Sequence, residues 1–192
     1  MLDQLIIWDH YFFDLVNGLW KNNLLDTIFP FWRHKLVWIP VYVFIFSFLL
    51  INFKKQGMWI IFFALLTITF SDMASSKVIK PLVNRDRPCH TSQRTSETNV
   101  LIRCGPGKSF PSSHATNHFG LALFLIFVLG KRFRWITLPL LFWAGSIAYG
   151  QVYVGVHYPF DAIGGAVLGG LIGGTLGSIC ERRIYFIAQS WT

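Results

Sequence analysis

The sequence predicts an all-α fold: a polytopic transmembrane helix bundle with five clear spans, plus an N-terminal helix that is either interfacial or a sixth span. Three observations point there. Apolar residues make up 53% of the 192 positions and charged residues only 14%, where an average soluble domain is about a quarter charged. The apolar residues fall in runs close to the roughly 20 that a membrane helix requires. The basic residues collect in short clusters between those runs, as they do in membrane proteins. With a mean hydropathy of +0.47, this composition excludes a disordered chain and a disulfide-dense secreted mini-protein. The net charge of +8 would suggest nucleic acid in a soluble protein. Its placement between apolar runs points instead to a lipid bilayer, with no nucleic-acid partner.

The elements follow in chain order. Residues 1–35 form an amphipathic N-terminal segment. Leu5, Ile6, Phe12, Phe13, Leu15 and Val16 are apolar, but Asp9, His10 and Asp14 interrupt them, so the segment either lies in the interface or makes a poor first span. It has no basic n-region and no small-residue cleavage site, so it is not a conventional signal peptide. Residues 36–53 make a span with no internal charge, and 58–79 make a second that contains Asp72. Residues 114–130, 135–149 and 162–180 make the remaining three. The whole chain, 1–192, reads as a single membrane-embedded domain.

Short loops set the orientation. Lys54 and Lys55, then Lys131, Arg132 and Arg134, then Arg182 and Arg183 all fall on one face of an alternating path, which is read as cytoplasmic. The long loop 77–112 and the segment 150–161 then lie outside. That loop is also basic, with Lys77, Lys80, Arg85, Arg87, Arg94, Arg103 and Lys108, so an outer cluster of cations needs another reason, and anion binding is one. In the last span Gly165, Gly169, Gly173 and Gly177 recur at four-residue spacing. This spacing lets helix backbones approach closely, either inside one bundle or across a homodimer seam. Asp72, an ionisable residue within a span, is expected to cap a polar cluster with Ser71, Ser75 and Ser76 in the bundle interior.

Polar residues concentrate in three patches, all at span ends on the outer face. The first runs from Lys80 to Pro88. Lysine brings a point charge and arginine a planar fork, a pair suited to phosphate oxygens, although basic residues at span ends also snorkel. The second runs from Gly105 to His114, where a glycine- and serine-rich turn leads into an apolar helix. It leaves free N–H groups at the helix start, an anion-attracting end, with His114 beside them; a plain serine cap is the simpler reading. His118, one turn deeper, reads as structural. The third runs from Gln151 to Asp161. His157 and Asp161 are four residues apart, so the carboxylate can accept the ring N–H and leave the other nitrogen nucleophilic. An interface histidine beside a capping aspartate is the alternative.

Taken together, the three patches resemble the signature of the type 2 phosphatidic acid phosphatases, integral-membrane lipid phosphate phosphatases related to vanadium haloperoxidases. The family pattern is Lys-x6-Arg-Pro, Pro-Ser-Gly-His and Ser-Arg-x5-His-x3-Asp. Lys80, Arg87 and Pro88 fit the first. Pro111, Ser112 and His114 fit the second, with Ser113 where glycine is usual. His157 and Asp161 fit the third. The resemblance implies hydrolysis of a membrane lipid phosphate without metal or cofactor. In that scheme His157 is the nucleophile that becomes phosphohistidine, Asp161 orients it, and His114 is the acid and base. Lys80, Arg87, Ser112, Ser113 and Gln151 hold the phosphate. A bacterial inner membrane location follows, with the site facing the periplasm or cell exterior. The candidate substrates are undecaprenyl pyrophosphate, phosphatidylglycerol phosphate, phosphatidic acid and lipid A.

The chain departs from the pattern where Gly150-Gln151 replaces Ser-Arg. A glutamine donates hydrogen bonds but carries no charge. Arg85, Arg94 and Arg103 are the nearby cations able to stand in. The departure keeps two alternatives open: a lipid-to-lipid phosphotransferase, and a catalytically weak lipid-phosphate binder. Cys89 and Cys104 share the outer loop and are expected to pair in an oxidising compartment, the alternative being two free thiols. Zinc held by both cysteines with His90 is a remote reading.

Overall fold

The computed structural model describes residues 2–90 and 98–189, and among these there are helices and turns but no strand. Helix α1 spans Leu2–Asp14 and runs into a π-helical turn, Leu15–Leu19; α2 spans Asn23–Trp32. Helix α3, Ile39–Asp72, continues through a π-helical stretch, Met73–Ile79, into the short α4, Lys80–Val83. Then come α5, Ser113–Leu129, α6, Thr137–Tyr153, and α7, Pro159–Gln189.

Helix α3 is two legs rather than one rod. Lys54 takes φ 47 and ψ −119, and a Cβ on Gly57 would lie 2.1 Å from the Leu49 carbonyl oxygen. Positions 49 and 57 on a straight helix would be about 12 Å apart. The chain therefore doubles back where Lys54 and Lys55 separate the two apolar runs. By length and composition two helical stretches suffice to cross a membrane, Leu36–Val83 and Pro159–Ile184, and the first of them contains both legs. The outer side of the molecule is strongly apolar. Phe44, Ile51, Phe62, Leu65, Leu138, Phe142, Val167 and Leu171 are all exposed, a belt far beyond what a soluble monomer shows. Asp9, Asn17, Gln151 and Asp161 are buried instead.

Helices α5 and α7 form the centre of the bundle. A Cβ on Gly169 would lie 2.0 Å from the Thr116 carbonyl oxygen, and one on Gly173 2.0 Å from that of Gly120. Gly165 faces the Ser112 carbonyl at 2.5 Å in the same sense, and Gly177 the Phe127 side chain at 2.8 Å. The glycine stripe is thus occupied by α5 within the molecule, and a homodimer seam would need another face. Around this pair Leu49, Ile60, Ala64, Leu121, Phe124, Leu125 and Cys180 make the main core. At that end of the bundle Lys131 pairs with Glu181 at 2.5 Å, and the Arg183 guanidinium lies 5.8 Å from the Trp59 ring.

The N-terminal arm lies across the other end. Helix α1 has 13 residues, about 20 Å of rise, against a hydrocarbon core of about 30 Å. Its Leu5, Ile6, Ile7 and Trp8 are exposed, whereas Asp9 is buried and accepts a hydrogen bond from the Phe160 N–H at 2.8 Å. The Asn17 amide donates to the Tyr153 and Asn99 carbonyls at 2.7 and 2.8 Å. Asn22 caps α2 by accepting from the Leu25 N–H at 3.0 Å. Helix α2 is fastened to α6 by hydrogen bonds and ring packing. Tyr153 donates its hydroxyl to Asp26 at 2.6 Å, Trp32 donates Nε1–H to Ser146 at 2.9 Å, and Phe29 packs 4.9 Å from the Tyr153 ring.

Two expectations change here. The chain stays helical through Val83, so Lys80 is presented from a helix and not from the loop; Asn84, in the left-handed region at φ 53, ends it, a conformation asparagine tolerates. Asp72 is exposed and accepts from Ser76 at 3.4 Å, while Ser75 and Ser76 turn inward to the Ser113 hydroxyl at 3.1 and 3.0 Å. Ser75 and Ser76 follow Asp72 by three and four positions, one helical turn, so Ser76 bridges the exposed carboxylate and the inward-facing hydroxyls while the aspartate itself stays at the surface.

Candidate active site

The three patches meet at the end of the bundle beneath the N-terminal arm, and backbone hydrogen bonds join them. The Ser109 N–H donates to the Arg85 carbonyl at 2.7 Å, linking the first patch to the second. The Ser112 N–H donates to the Asp161 carbonyl at 2.9 Å, linking the second to the third. A disulfide between Cys89 and Cys104, with Cα atoms 6.1 Å apart, joins the segment after Arg87 to the turn before Ser112.

His157 sits in the turn between α6 and α7. That turn needs a glycine: Gly155 takes φ 83, and a Cβ there would lie 2.7 Å from the Asn99 carbonyl oxygen. The backbone N–H of His157 donates to the Gln151 carbonyl at 3.3 Å. Its ring is buried. Nδ1 faces the Asp161 carboxylate at 3.5 Å and the Ser109 hydroxyl at 3.3 Å. Nε2 faces Arg87 Nη1 at 3.5 Å. Burial lowers the imidazole to about 4, with Asp161 pulling the other way and Arg87 and Lys80 adding to the fall. The ring is therefore neutral at physiological pH, with Nδ1–H toward the carboxylate and the Nε2 lone pair toward the guanidinium.

Asp161 is buried in the first turn of α7 and its oxygens are fully used. It accepts from Arg85 Nη1 at 2.8 Å, from the Tyr158 N–H at 2.8 Å, and from the Ser109 hydroxyl. Arg85 reaches on to Asp9 at 2.5 Å and lies over the Tyr158 ring at 4.1 Å. Arg85 therefore holds carboxylates and does not stand in for the missing motif arginine. Arg94 lies outside the described residues, and Arg103 is exposed.

Ser112 is buried and caps α5, accepting from the Ala115 N–H at 3.4 Å. The amides of Ser113 and His114 open that helix and have no partner within it. His114 is half-buried, and the charges of Arg33 and Lys80 act on it. His118 donates Nδ1–H to the His114 carbonyl at 2.7 Å and meets the Trp143 ring edge-on at 4.9 Å, a packing role. Arg87 is half-buried, donates Nε–H to the Gly107 carbonyl at 3.2 Å, and is held below its ordinary value by burial, with Asp161 opposing. Lys80 is half-buried close enough to feel Arg87 and Asp161.

Three residues of this site escape motif reasoning: Ser109, Asp9 and Arg33. Ser109 lies inside the second patch, and Arg85, expected as a cation for the phosphate, holds the carboxylates instead. Asp9 and Arg33 come from the N-terminal arm, and only the tertiary fold brings them in. Gln151 is buried, and its Oε1 accepts from Arg33 Nε and Nη2 at 3.2 and 3.0 Å.

Comparison with known proteins gives a consistent picture. The model of the PAP2 superfamily matches residues 57–184. A lipid A 4'-phosphatase of Bacteroides thetaiotaomicron is 38% identical over 173 residues, covering 85% of this chain and 72% of that protein. The crystal structure of Aquifex aeolicus LpxE aligns with TM-score 0.62 and 26% identity, over 90% of this chain and 93% of the other. A transmembrane PAP2-type phosphatidylglycerolphosphate phosphatase from Bacillus subtilis shares the fold, with TM-score 0.71 at 21% identity over 93% and 87% of the two chains.

Proposed function

The chain belongs to the PAP2 superfamily, and from that premise we propose that it is an integral-membrane phosphatase acting on a lipid phosphate. The observation that carries this reading is the position of His157 Nε2, 3.5 Å from Arg87, with Nδ1 turned to Asp161. A phosphate drawn to Arg87 is thereby placed against the one ring nitrogen that carries a lone pair.

The reaction proceeds in two steps. Nε2 of His157 attacks phosphorus and the lipid oxygen leaves, taking a proton from His114. Water, deprotonated by His114, then attacks the phosphohistidine and releases phosphate; the acid and base roles reverse between the half-reactions. Asp161 holds the tautomer and offsets the positive charge that grows on the ring. Lys80, Arg87, Ser112, the Ser113 amide and Gln151 meet the charge on the equatorial oxygens, the largest contribution protein groups make to phosphoryl transfer. No step in this scheme uses a metal.

Five crossings fit the helices: the two legs of α3, then α5, α6 and α7. Helices α1 and α2 lie in the outer interface over the site. A headgroup enters from the interface while the tail remains in lipid, with the site toward the periplasm or cell exterior. Among candidate substrates a lipid A phosphate ranks first, because the relative named for that activity is 38% identical. Phosphatidylglycerol phosphate, undecaprenyl pyrophosphate and phosphatidic acid follow.

The test is phosphate release by the detergent-purified protein, with EDTA present, from these four lipids, beside His157→Ala. The expected result is release in EDTA that disappears in the variant. Ordinary rates in His157→Ala would overturn the nucleophile, and inhibition by EDTA would overturn the metal-free scheme.

A further inference from the structure

The motif position that ordinarily brings an arginine to the phosphate holds Gln151, and the structure supplies a guanidinium at the same place from elsewhere. We propose that Arg33, at the C-terminal end of α2, is a phosphate-binding residue of this site, and that Gln151 is the positioning residue that aims it. The proposal deepens the lipid-phosphatase reading and rests on it.

Three observations carry the argument. The first is the contact itself. One edge of the Arg33 fork, Nε and Nη2, is fixed on the Gln151 side-chain oxygen at 3.2 and 3.0 Å. The backbone carbonyl of the same glutamine accepts from the His157 N–H at 3.3 Å. The guanidinium is therefore one residue away from the proposed nucleophile. A guanidinium has five N–H donors, and the Gln151 contact takes two.

The second is the shortage of acceptors. Among the described residues no carboxylate pairs with Arg33 or with Lys80. The site's carboxylates are already committed, Asp161 to Arg85, Ser109 and the Tyr158 N–H and Asp9 to Arg85 and the Phe160 N–H. The Gln151 side-chain nitrogen, on the same amide that holds Arg33, is buried without an acceptor. Arg33 and Lys80 bring two positive charges to this end of the bundle that no carboxylate among the described residues meets, and the charge of Arg87 acts on both. Buried charge and buried donors are costly unless paired. A tetrahedral oxyanion with several charged oxygens satisfies all of them at once. Arg33 and Arg87 also feel one another's charge, and that of Arg33 reaches His114.

The third is that α2 is built to hold Arg33 in place. Tyr153, Ser146 and the Phe29 contact fasten α2 to α6, and Trp38 donates Nε1–H to the Trp32 carbonyl at 2.8 Å, immediately before Arg33. A surface arginine that merely snorkels has no need of such a mount.

The experiment measures binding of orthovanadate, a phosphate-shaped oxyanion, by the detergent-solubilised full chain, using thermal shift and calorimetry, alongside phosphate release from lipid. Arg33→Ala and Arg33→Met are compared with wild type; the methionine keeps the apolar stem packed. Both should bind vanadate about 10- to 100-fold more weakly, the usual loss for a charge-assisted hydrogen bond. Gln151→Ala should weaken it less, because Arg33 remains but is no longer aimed. The double variant Arg33→Ala with Gln151→Arg should regain affinity, since the guanidinium then comes from the usual position. Arg33 variants that bind vanadate as wild type does would overturn the proposal, as would a double variant no better than Arg33→Ala. An inactive wild type that binds vanadate through Arg33 would sink the phosphatase reading and leave the proposal standing. An active enzyme indifferent to Arg33 would do the reverse.

Discussion

The nucleophile proposed at His157 must keep a lone pair on one nitrogen, and its surroundings secure this by burial more than by charge. Removal from water lowers the imidazole to about 4 against an ordinary 6.5, although Asp161 works in the other direction. Between those two pH values the unfolded chain binds a proton at this position and the folded chain does not. Folding stability contributed at His157 is therefore intact above about 6.5 and is lost as pH falls toward 4. In the folded protein the ring should stay neutral throughout that window. NMR of 15N-histidine-labelled protein in detergent should show the His157 ring unprotonated from pH 8 down to 5. A midpoint near 6.5 would mean that Asp161 offsets the effect of burial in full, and that a minority of the rings still carry a proton near neutral pH. Arg85 bears on the same question: by bridging Asp161 and Asp9, it leaves Asp161 able to orient His157 without a surplus of negative charge beside the phosphate.

At the scale of the element, the geometry of the site depends on how closely α7 approaches α5, because the first turns of these helices carry Asp161 and His114. Gly169 and Gly173 permit the approach. An alanine at either would place a Cβ about 2.0 Å from a carbonyl oxygen of α5, and a backbone cannot yield as a side-chain tip can. Gly169→Ala should lower the melting temperature in detergent by the equivalent of about 1–3 kcal/mol, the range for overpacking, and phosphate release should fall with it. Gly145→Ala is the control. Nothing lies within 4 Å of the added Cβ there, and alanine favours the helix by up to about 1 kcal/mol, so stability should hold or rise. A tolerated Gly169→Ala would show that the two helices can separate without cost.

The glycine stripe and the three motifs were legible because each is a local pattern: four-residue spacing on one helix face, or a few residues at a span end. The helix-to-helix turn at Lys54 was legible for the same reason, as a charge pair between apolar runs. Asp9 and Arg33 were not. Their partners are the Phe160 N–H and Gln151, 151 and 118 positions away, and nothing within the N-terminal 35 residues specifies those partners. The apolar outer face of α1 announces a membrane contact, but periodicity cannot say which of its polar residues the bundle will cover. The continuation of helix through Lys80 was not legible either, because the apolar run ends at 79 while Pro81 is tolerated in the first turn of α4.

For the molecule as a whole, basic residues at both ends of the bundle make the charge rule ambiguous until their partners are known. At the site end Arg85 is paired with Asp9 and Asp161, and Lys108 with Asp86. Lys80, Arg87 and Arg33 surround the proposed phosphate position. These cations answer to carboxylates and to the proposed phosphate, so they say little about topology. At the opposite end Lys54 and Lys55 mark the turn within α3, and Lys131, Arg132, Arg134, Arg182 and Arg183 follow short connections, with Glu181 bound by Lys131. That surplus is the one that counts for orientation, which is set by short loops. The site end should therefore face outward. A membrane-impermeant maleimide applied to intact bacterial cells should label Asp86→Cys, whose position is 67% exposed. Lys131→Cys, 81% exposed, should react only after the membrane is opened. The reverse pattern would put the site in the cytoplasm, where the Cys89–Cys104 bridge would meet a reducing environment and the lipid would have to be presented from the inner leaflet.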